Sequence, residues 1–223
     1  MRVASPGTYD EEKENNSGIK ITLVGNSGVG KTCIILRYTT KEFDENVITT
    51  KGANYSLQKI EIDGKEYQLD IWDTAGQEHY RSLGKHFYKD AFIVILVYDV
   101  TNKKSFEDLK NSWFHDLNRY GEKCTVLGIV GNKCDLYEQE MVTEEEGRKF
   151  AEEKNALFML VSAKNGDNID NLFTSLVKKY LEPTFQVQVD ENSEKKEGSV
   201  KIKKRSKQEE DKIKERRSKG CCG

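Results

Sequence analysis

The chain lacks any apolar run long enough to cross a bilayer. Its longest, residues 91–97, falls far short of the about 20 residues that a membrane-spanning helix needs. Residues 1–18 hold no apolar stretch of the kind found in a secretory leader. A disulfide framework is also missing: the five cysteines stand at 33, 124, 134, 221 and 222, a scatter that fits a reducing cytosol. The charge lacks a dominant sign. Charged residues make up 33% of the chain but the formal net charge is only −2, so no nucleic-acid partner is expected. That small total hides an asymmetry, because residues 195–219 carry twelve Lys/Arg against five Asp/Glu. A length of 223 residues suits one domain with tails and can bury a core.

What is present is an alternation of strands and helices. Residues 19–24 are a short β-branched run that reads as a buried strand, followed by a glycine-rich loop and a helix over 31–39. Residues 54–62 and 65–72 alternate about Asp63-Gly64, a two-residue hairpin signal. Residues 91–98 and 125–130 are nearly continuous apolar strands. Between them, Phe106, Leu109, Trp113 and Leu117 space a helix over 105–120. Thr143 and Glu146 form a capping box for a helix reaching about residue 155. A last strand at 157–161 and a last helix at 169–181 precede Pro183. The fold predicted is α/β: a mostly parallel six-stranded sheet with one antiparallel edge hairpin and helices on both faces. Ligands then belong at the carboxyl ends of the strands. Residues 1–18 and 183–223 are too polar for a core and are expected to be disordered, the folded body being 19–182.

Three motifs fall at those strand ends. Gly25-Asn26-Ser27-Gly28-Val29-Gly30-Lys31-Thr32 fits G-x-x-x-x-G-K-[ST] between a strand and a helix. Its glycines let backbone N–H groups converge on phosphate oxygens, the helix dipole adds to the attraction, Lys31 reaches the β- and γ-phosphates, and Thr32 offers a hydroxyl to Mg²⁺. A flexible Gly/Ser turn is the plainer alternative. Asn132-Lys133-Cys134-Asp135 follows a later strand. The Asp135 carboxylate can accept from the N1–H and 2-amino groups of guanine, which adenine lacks. Asn132 would brace the loop and the Lys133 stem would cover the base. Ser162-Ala163-Lys164, after the next strand, could add a backbone N–H for the guanine O6. The third motif is Trp72-Asp73-Thr74-Ala75-Gly76-Gln77-Glu78. It places a carboxylate at a strand end, then a glycine and a glutamine, which together could hold a metal-bound water, sense a terminal phosphate and orient an attacking water. A simple tight turn remains the alternative for that run.

With these motifs in order and spacing, together with Leu96-Val97-Tyr98-Asp99-Val100-Thr101, the chain resembles a Ras-superfamily small GTPase of the Rab family over about residues 18–182. The Trp before Asp-Thr-Ala-Gly-Gln and the double-cysteine terminus carry the Rab likeness. The resemblance implies a P-loop NTPase fold and a GTP-hydrolysing switch of intracellular membrane traffic. It places Ser27, Gly28, Val29, Gly30, Lys31, Thr32, Cys33, Phe43, Thr50, Gly76, Asn132, Lys133, Asp135, Ser162, Ala163 and Lys164 around the nucleotide. It gives Thr32, Thr50 and Asp73 to Mg²⁺ and the orientation of water to Gln77. Phe43 would pack on the guanine, ordinary core packing being its alternative. Tyr55, Trp72 and Phe87 match an aromatic triad read by effectors, against the alternative of a partly buried patch.

The implied partners are GTP and GDP, an exchange factor, an activating protein, a GDP-dissociation inhibitor and effectors. The implied location is the cytoplasmic face of an intracellular membrane, in exchange with the cytosol. Cys221 and Cys222 would each carry a geranylgeranyl group. Two chains anchor a protein stably where one does not, and the basic tail would add attraction to an anionic leaflet. Departures from the pattern at Lys51, His79 and residues 87–90 touch partner recognition rather than nucleotide. Two other readings stay open: a module that holds GTP without hydrolysing it, which Gly76 and Gln77 oppose, and a P-loop ATP enzyme, which Asn132 and Asp135 oppose. No arginine lies between Lys41 and Tyr55, so no arginine finger in cis is available there and unassisted hydrolysis should be on the order of 10⁻⁴ s⁻¹.

Overall fold

The computed structural model describes residues 18–45, 50, 53–74 and 87–182. Among these residues six strands form one sheet: β1 (Ile19–Val24), β2 (Ala53–Ile62), β3 (Lys65–Thr74), β4 (Ile93–Asp99), β5 (Val126–Asn132) and β6 (Leu157–Val161). Their order is β2-β3-β1-β4-β5-β6. Only β2 and β3 pair antiparallel; β1, β4, β5 and β6 join in parallel. The mostly parallel sheet with one edge hairpin is therefore the one that the sequence predicts. Asp63 and Gly64 both have positive φ, 51° and 78°, the geometry of the two-residue turn whose twist matches that of the strands.

Alternation along β4 shows why helices cover both faces. Ile93, Ile95 and Val97 enter one core with Ile34 of α1 (Lys31–Thr40) and with Leu172, Phe173 and Leu176 of α5 (Ile169–Leu181). Val94, Leu96 and Tyr98 enter the opposite core, beneath Phe106 of α2 (Lys103–Asp108), Leu117 of α3 (Phe114–Tyr120) and Phe150 of α4 (Glu144–Glu153). Because successive strand side chains point to opposite faces, a strand buried on both sides has to be apolar throughout. Thr143 caps α4 as expected: its hydroxyl accepts from the Glu146 N–H at 3.2 Å, and the Glu146 carboxylate accepts from the Thr143 N–H at 3.0 Å.

The helix expected over 105–120 differs in one respect. Between α2 and α3 the residues Leu109–Trp113 form a π turn, in which the Phe114 N–H donates to the Leu109 carbonyl five residues back. Side-chain spacing alone cannot reveal this, since Phe106, Leu109, Trp113 and Leu117 suit uninterrupted α-helix equally well.

Tyr98 is fully buried and its hydroxyl has no hydrogen-bond partner among the described residues. Room for it comes from Gly131 and Gly147, where an added Cβ would stand 2.7 and 2.5 Å from the Tyr98 oxygen. An unpaired buried hydroxyl costs stability. Tyr98→Phe is therefore expected to stabilise the fold by about 1 kcal/mol, measured as a shift of the urea midpoint at unchanged slope. A loss of stability would mean that the hydroxyl is hydrogen-bonded in solution.

Candidate nucleotide-binding site

The loop from Gly25 to Lys31 runs from the carboxyl end of β1 into α1. At Gly30 φ is +93° and a Cβ would meet the Asn132 side-chain nitrogen at 2.3 Å, while at Gly25 a Cβ would meet the Val97 carbonyl oxygen at 2.2 Å. Both glycines are thus required by close approach as well as by conformation. Lys31 is only 5% exposed. Its ammonium donates to the carbonyls of Gly25 and Asn26 at 2.8 and 2.9 Å. Burial lowers its pKa to about 8, partly offset by the Asp73 charge. Such a cation beside the N-terminus of a ten-residue helix is prepared for an anion.

Next to it, three oxygen-bearing side chains from three different segments converge. The hydroxyls of Thr32 and Thr50 lie 2.7 Å apart. Thr32 donates to Asp73 Oδ2 at 2.8 Å and Thr50 to the same oxygen at 3.2 Å. Asp73 Oδ1 is buried without any hydrogen-bond partner among the described residues. Burial raises the Asp73 pKa, opposed by the Thr32 hydrogen bond, the Lys31 charge and the Thr50 hydrogen bond. A hard divalent cation suits this set, which offers oxygen donors only and one carboxylate oxygen still seeking a partner. Among the described residues no group of three or more His, Cys, Asp or Glu gathers, and the oxygen donors they bring together here are one carboxylate and two hydroxyls.

The other half of the site lies at the ends of β5 and β6. Asn132, the last residue of β5 rather than part of the following loop, spans the two halves. Its amide nitrogen donates to the Val29 carbonyl at 2.8 Å, and its amide oxygen accepts from the Ala163 N–H at 3.2 Å. Asp135 Oδ1 accepts from the Ser162 hydroxyl at 2.6 Å. Lys133 takes a left-handed conformation, φ 67°, and pairs with Asp99 Oδ2 at 2.6 Å. Lys164 pairs with Glu45 at 2.9 Å.

A cavity of about 370 Å³ joins these parts. It is lined by Ser27, Gly28, Gly30, Lys31, Thr32, Cys33, Phe43 and Thr50 on one side and Asn132, Lys133, Asp135, Ala163 and Lys164 on the other. Val29 and Ser162 stand behind this wall, not on it, each holding a residue that does line it. Gly76 and Gln77 lie outside the described residues, as do Lys51, His79, Cys221 and Cys222.

Several contributors were not foreseen. Arg37, in the last turn of α1, donates through Nε to the Ala163 carbonyl at 2.8 Å and through its other nitrogens to the carbonyls of Lys164 and Lys41, with its guanidinium 5.9 Å from the Phe43 ring. An arginine in a helix's last turn carries no sequence signal of such a long-range task. Asp99 and Glu45 were missed for the same reason. The aromatic triad needs correction. Tyr55 faces Trp72 across the β2–β3 ladder with ring centroids 5.2 Å apart and is 48% exposed. Phe87 is buried, at 9% exposure, and its backbone carbonyl accepts from the Thr22 hydroxyl at 3.0 Å.

Residues 20–182 match the Ras family. The chain is 38% identical to Ras-related protein Rab-8B of Homo sapiens over 183 residues, covering 82% of this chain and 88% of that protein. It is 40% identical to GTP-binding protein ypt2 of Schizosaccharomyces pombe over 161 residues, 72% of this chain and 80% of the relative. With GTP-binding protein YPT1 of Saccharomyces cerevisiae the identity is 35% over 189 residues, 84% of this chain and 91% of the relative.

Proposed function

This chain belongs to the Ras family, within its Rab branch of small GTPases, and from that membership we propose how its own residues conduct the GTP cycle. It is a GTP-binding, GTP-hydrolysing switch that regulates vesicle traffic. The observation that carries the site assignment is the meeting of Thr32, Thr50 and Asp73 beside the Lys31 ammonium, with Asp73 Oδ1 left unpartnered among the described residues.

Lys31 exchanges its two loop carbonyls for β- and γ-phosphate oxygens, and the N–H groups of residues 27–33 hold the phosphates from below. Family members generally depend on Mg²⁺. When bound, the ion neutralises charge on the β- and γ-phosphate oxygens; the Thr32 and Thr50 hydroxyls would hold it directly and Asp73 through water. Asp135, braced by Ser162, accepts from the guanine N1–H and 2-amino groups. The Ala163 N–H, whose bond to Asn132 is long, is shared with O6. Phe43 and the Lys133 stem cover the base. The Gly76 N–H meets the γ-phosphate and Gln77 orients the attacking water. Order in the two switch segments then follows the γ-phosphate and is released on hydrolysis.

The partners follow the family: an exchange factor, an activating protein supplying charge in trans, a GDP-dissociation inhibitor and effectors. Residues 1–18 and 183–223 flank the GTPase body of 19–182. Among the described residues no helix is long and apolar enough to cross a membrane. Anchoring is assigned to prenyl groups on Cys221 and Cys222, supported by the basic tail on an anionic leaflet, at the cytoplasmic face of an intracellular membrane in exchange with the cytosol. Single-turnover hydrolysis tests the assignment. The purified protein should turn over on the order of 10⁻⁴ s⁻¹, and Gln77→Leu should be slower by roughly tenfold or more. Equal rates would remove Gln77 from the chemistry and favour a module that holds GTP without hydrolysing it.

A further inference from the structure

One contact of the phosphate loop belongs to neither the phosphate nor the base machinery. The side chain of Asn26, the second residue of the loop, is gripped at both ends. Its amide nitrogen donates to Asp108 Oδ2 at 2.7 Å, and its amide oxygen accepts from the Trp113 indole N–H at 2.7 Å. Its backbone carbonyl is one of the two that hold the Lys31 ammonium. Asp108 and Trp113 are five residues apart. On a regular α-helix they would be rotated from each other by about 140°. The π turn Leu109–Trp113 between them brings both to one side, and a single amide can then meet both. π turns inside helices cost good α hydrogen bonding and concentrate at functional places. Here the turn has an evident product, which is the clamp.

The clamp has a fixed base. Trp113 is 6% exposed and packed in the core with Leu109, Phe106 and Tyr88. The Tyr88 hydroxyl also donates to the Trp113 carbonyl, at 3.4 Å. The indole is therefore a rigid donor, and the loop residue is the movable partner. Fixing both ends of the Asn26 amide fixes the orientation of the adjoining peptides. These peptides carry the carbonyls that hold Lys31 and lead into the N–H groups that face the phosphates.

We propose that Asp108 and Trp113, brought together by the π turn, are positioning residues that hold the phosphate loop through Asn26 and set the rate at which bound nucleotide is released. The inference deepens the nucleotide-site assignment above and rests on it. Full-length protein loaded with a fluorescent GDP analogue and chased with excess GDP provides the test. Asn26→Asp sets a second carboxylate against Asp108 and is expected to speed release by about tenfold. Adding Asp108→Asn to it restores an amide–carboxylate pair in reversed order and should bring release back to within about threefold of wild type. Trp113→Phe keeps the ring but loses the donor, and should speed release several-fold.

A purely structural role would not give the reciprocal rescue. Release from Asn26→Asp at the wild-type rate, or no slower from the double variant than from Asn26→Asp, overturns the proposal. A second readout does not need nucleotide. The chain has two tryptophans, so the Trp113 indole N–H resonance is identified by its loss in Trp113→Phe. It should move upfield in Asn26→Ala, and an unmoved resonance would mean that the clamp is absent. If the wild type itself retained no GDP, the nucleotide-site assignment would fall while this resonance still decided the clamp.

Discussion

Asp135→Ala should all but erase the preference of this protein for guanine over adenine nucleotides. A carboxylate that lines the cavity and is held by the Ser162 hydroxyl at 2.6 Å can be satisfied by the two donors on the edge of guanine. Adenine presents neither, so its entry would strip water from Asp135 and give nothing back. Sites built to hydrogen-bond a substrate reject an analogue lacking the group by roughly 10⁴-fold. Alanine removes both the attraction and the penalty, and the ratio of GTP to ATP affinity should fall from about 10⁴ to within about tenfold. Displacement of a fluorescent GDP analogue by GTP and by ATP measures both numbers. Ser162→Ala tests the bracing separately: Asp135 keeps its charge but loses its fixed oxygen, so selectivity should drop by about tenfold. Undiminished selectivity in Asp135→Ala would place base recognition elsewhere.

Lys31→Met is expected to move stability and binding in opposite directions. The Lys31 ammonium is buried, and its pKa is lowered from 10.5 to about 8. The unfolded chain therefore holds more protons between pH 8 and 10.5, so the stability of the nucleotide-free fold should rise with pH through that window, the penalty being fully present below pH 8. The shift corresponds to about 3 kcal/mol of disfavoured charge. Part of that would not be recovered on substitution, because the carbonyls of Gly25 and Asn26 lose their donor. A net gain of about 1 kcal/mol is expected for Lys31→Met without nucleotide. Affinity for GDP should fall by about 10²–10³-fold, as for the loss of one member of a buried charge pair. In the wild type, affinity should also decline as pH rises above 8, because the neutral amine no longer meets the phosphates as a cation. Chemical denaturation and nucleotide titration across pH 7–10.5 check the two halves. A Lys31→Met variant less stable than wild type at pH 7, without nucleotide, would show that the ammonium is better solvated than its burial implies.

Much of the fold was legible because its signals are local. The Asp63-Gly64 turn, the Thr143–Glu146 capping box and the apolar β4 each report on their own few residues, and each appears where expected. The alternation of strands and helices then left few topologies to choose from. The cavity-lining residues stood out for a related reason: phosphate and guanine chemistry demands particular groups at fixed spacing. What stayed hidden involves partners far apart in sequence or small changes in backbone pitch. Arg37 reaches carbonyls more than 120 positions away. Trp113 reaches Asn26 across 87. The π turn adds one residue to a helical repeat without disturbing the apolar pattern. Phe87 was misjudged because the apolar surface around a residue outside regular periodicity cannot be summed from its neighbours in sequence.

The β2–β3 hairpin acts as a length standard for the site. Its register is continuous from Ile62 opposite Lys65 to Ala53 opposite Thr74, so Thr50, three residues before the ladder, and Asp73, in its last pairs, emerge at the same end. The ladder thereby measures out the position of one oxygen donor against another. Adding residues at the turn leaves that measure intact, because the far end is unchanged. Inserting one residue within either strand does not: side chains alternate with period two, so a single step in β3 would turn Asp73 to the opposite face of the sheet, and one in β2 would shift its pairing with β3 and displace the lead-in to Thr50. Tolerance to insertion should therefore be high at Gly64 and vanish along the strands, including stretches of β2 where exposed side chains give no outward sign that anything is being measured.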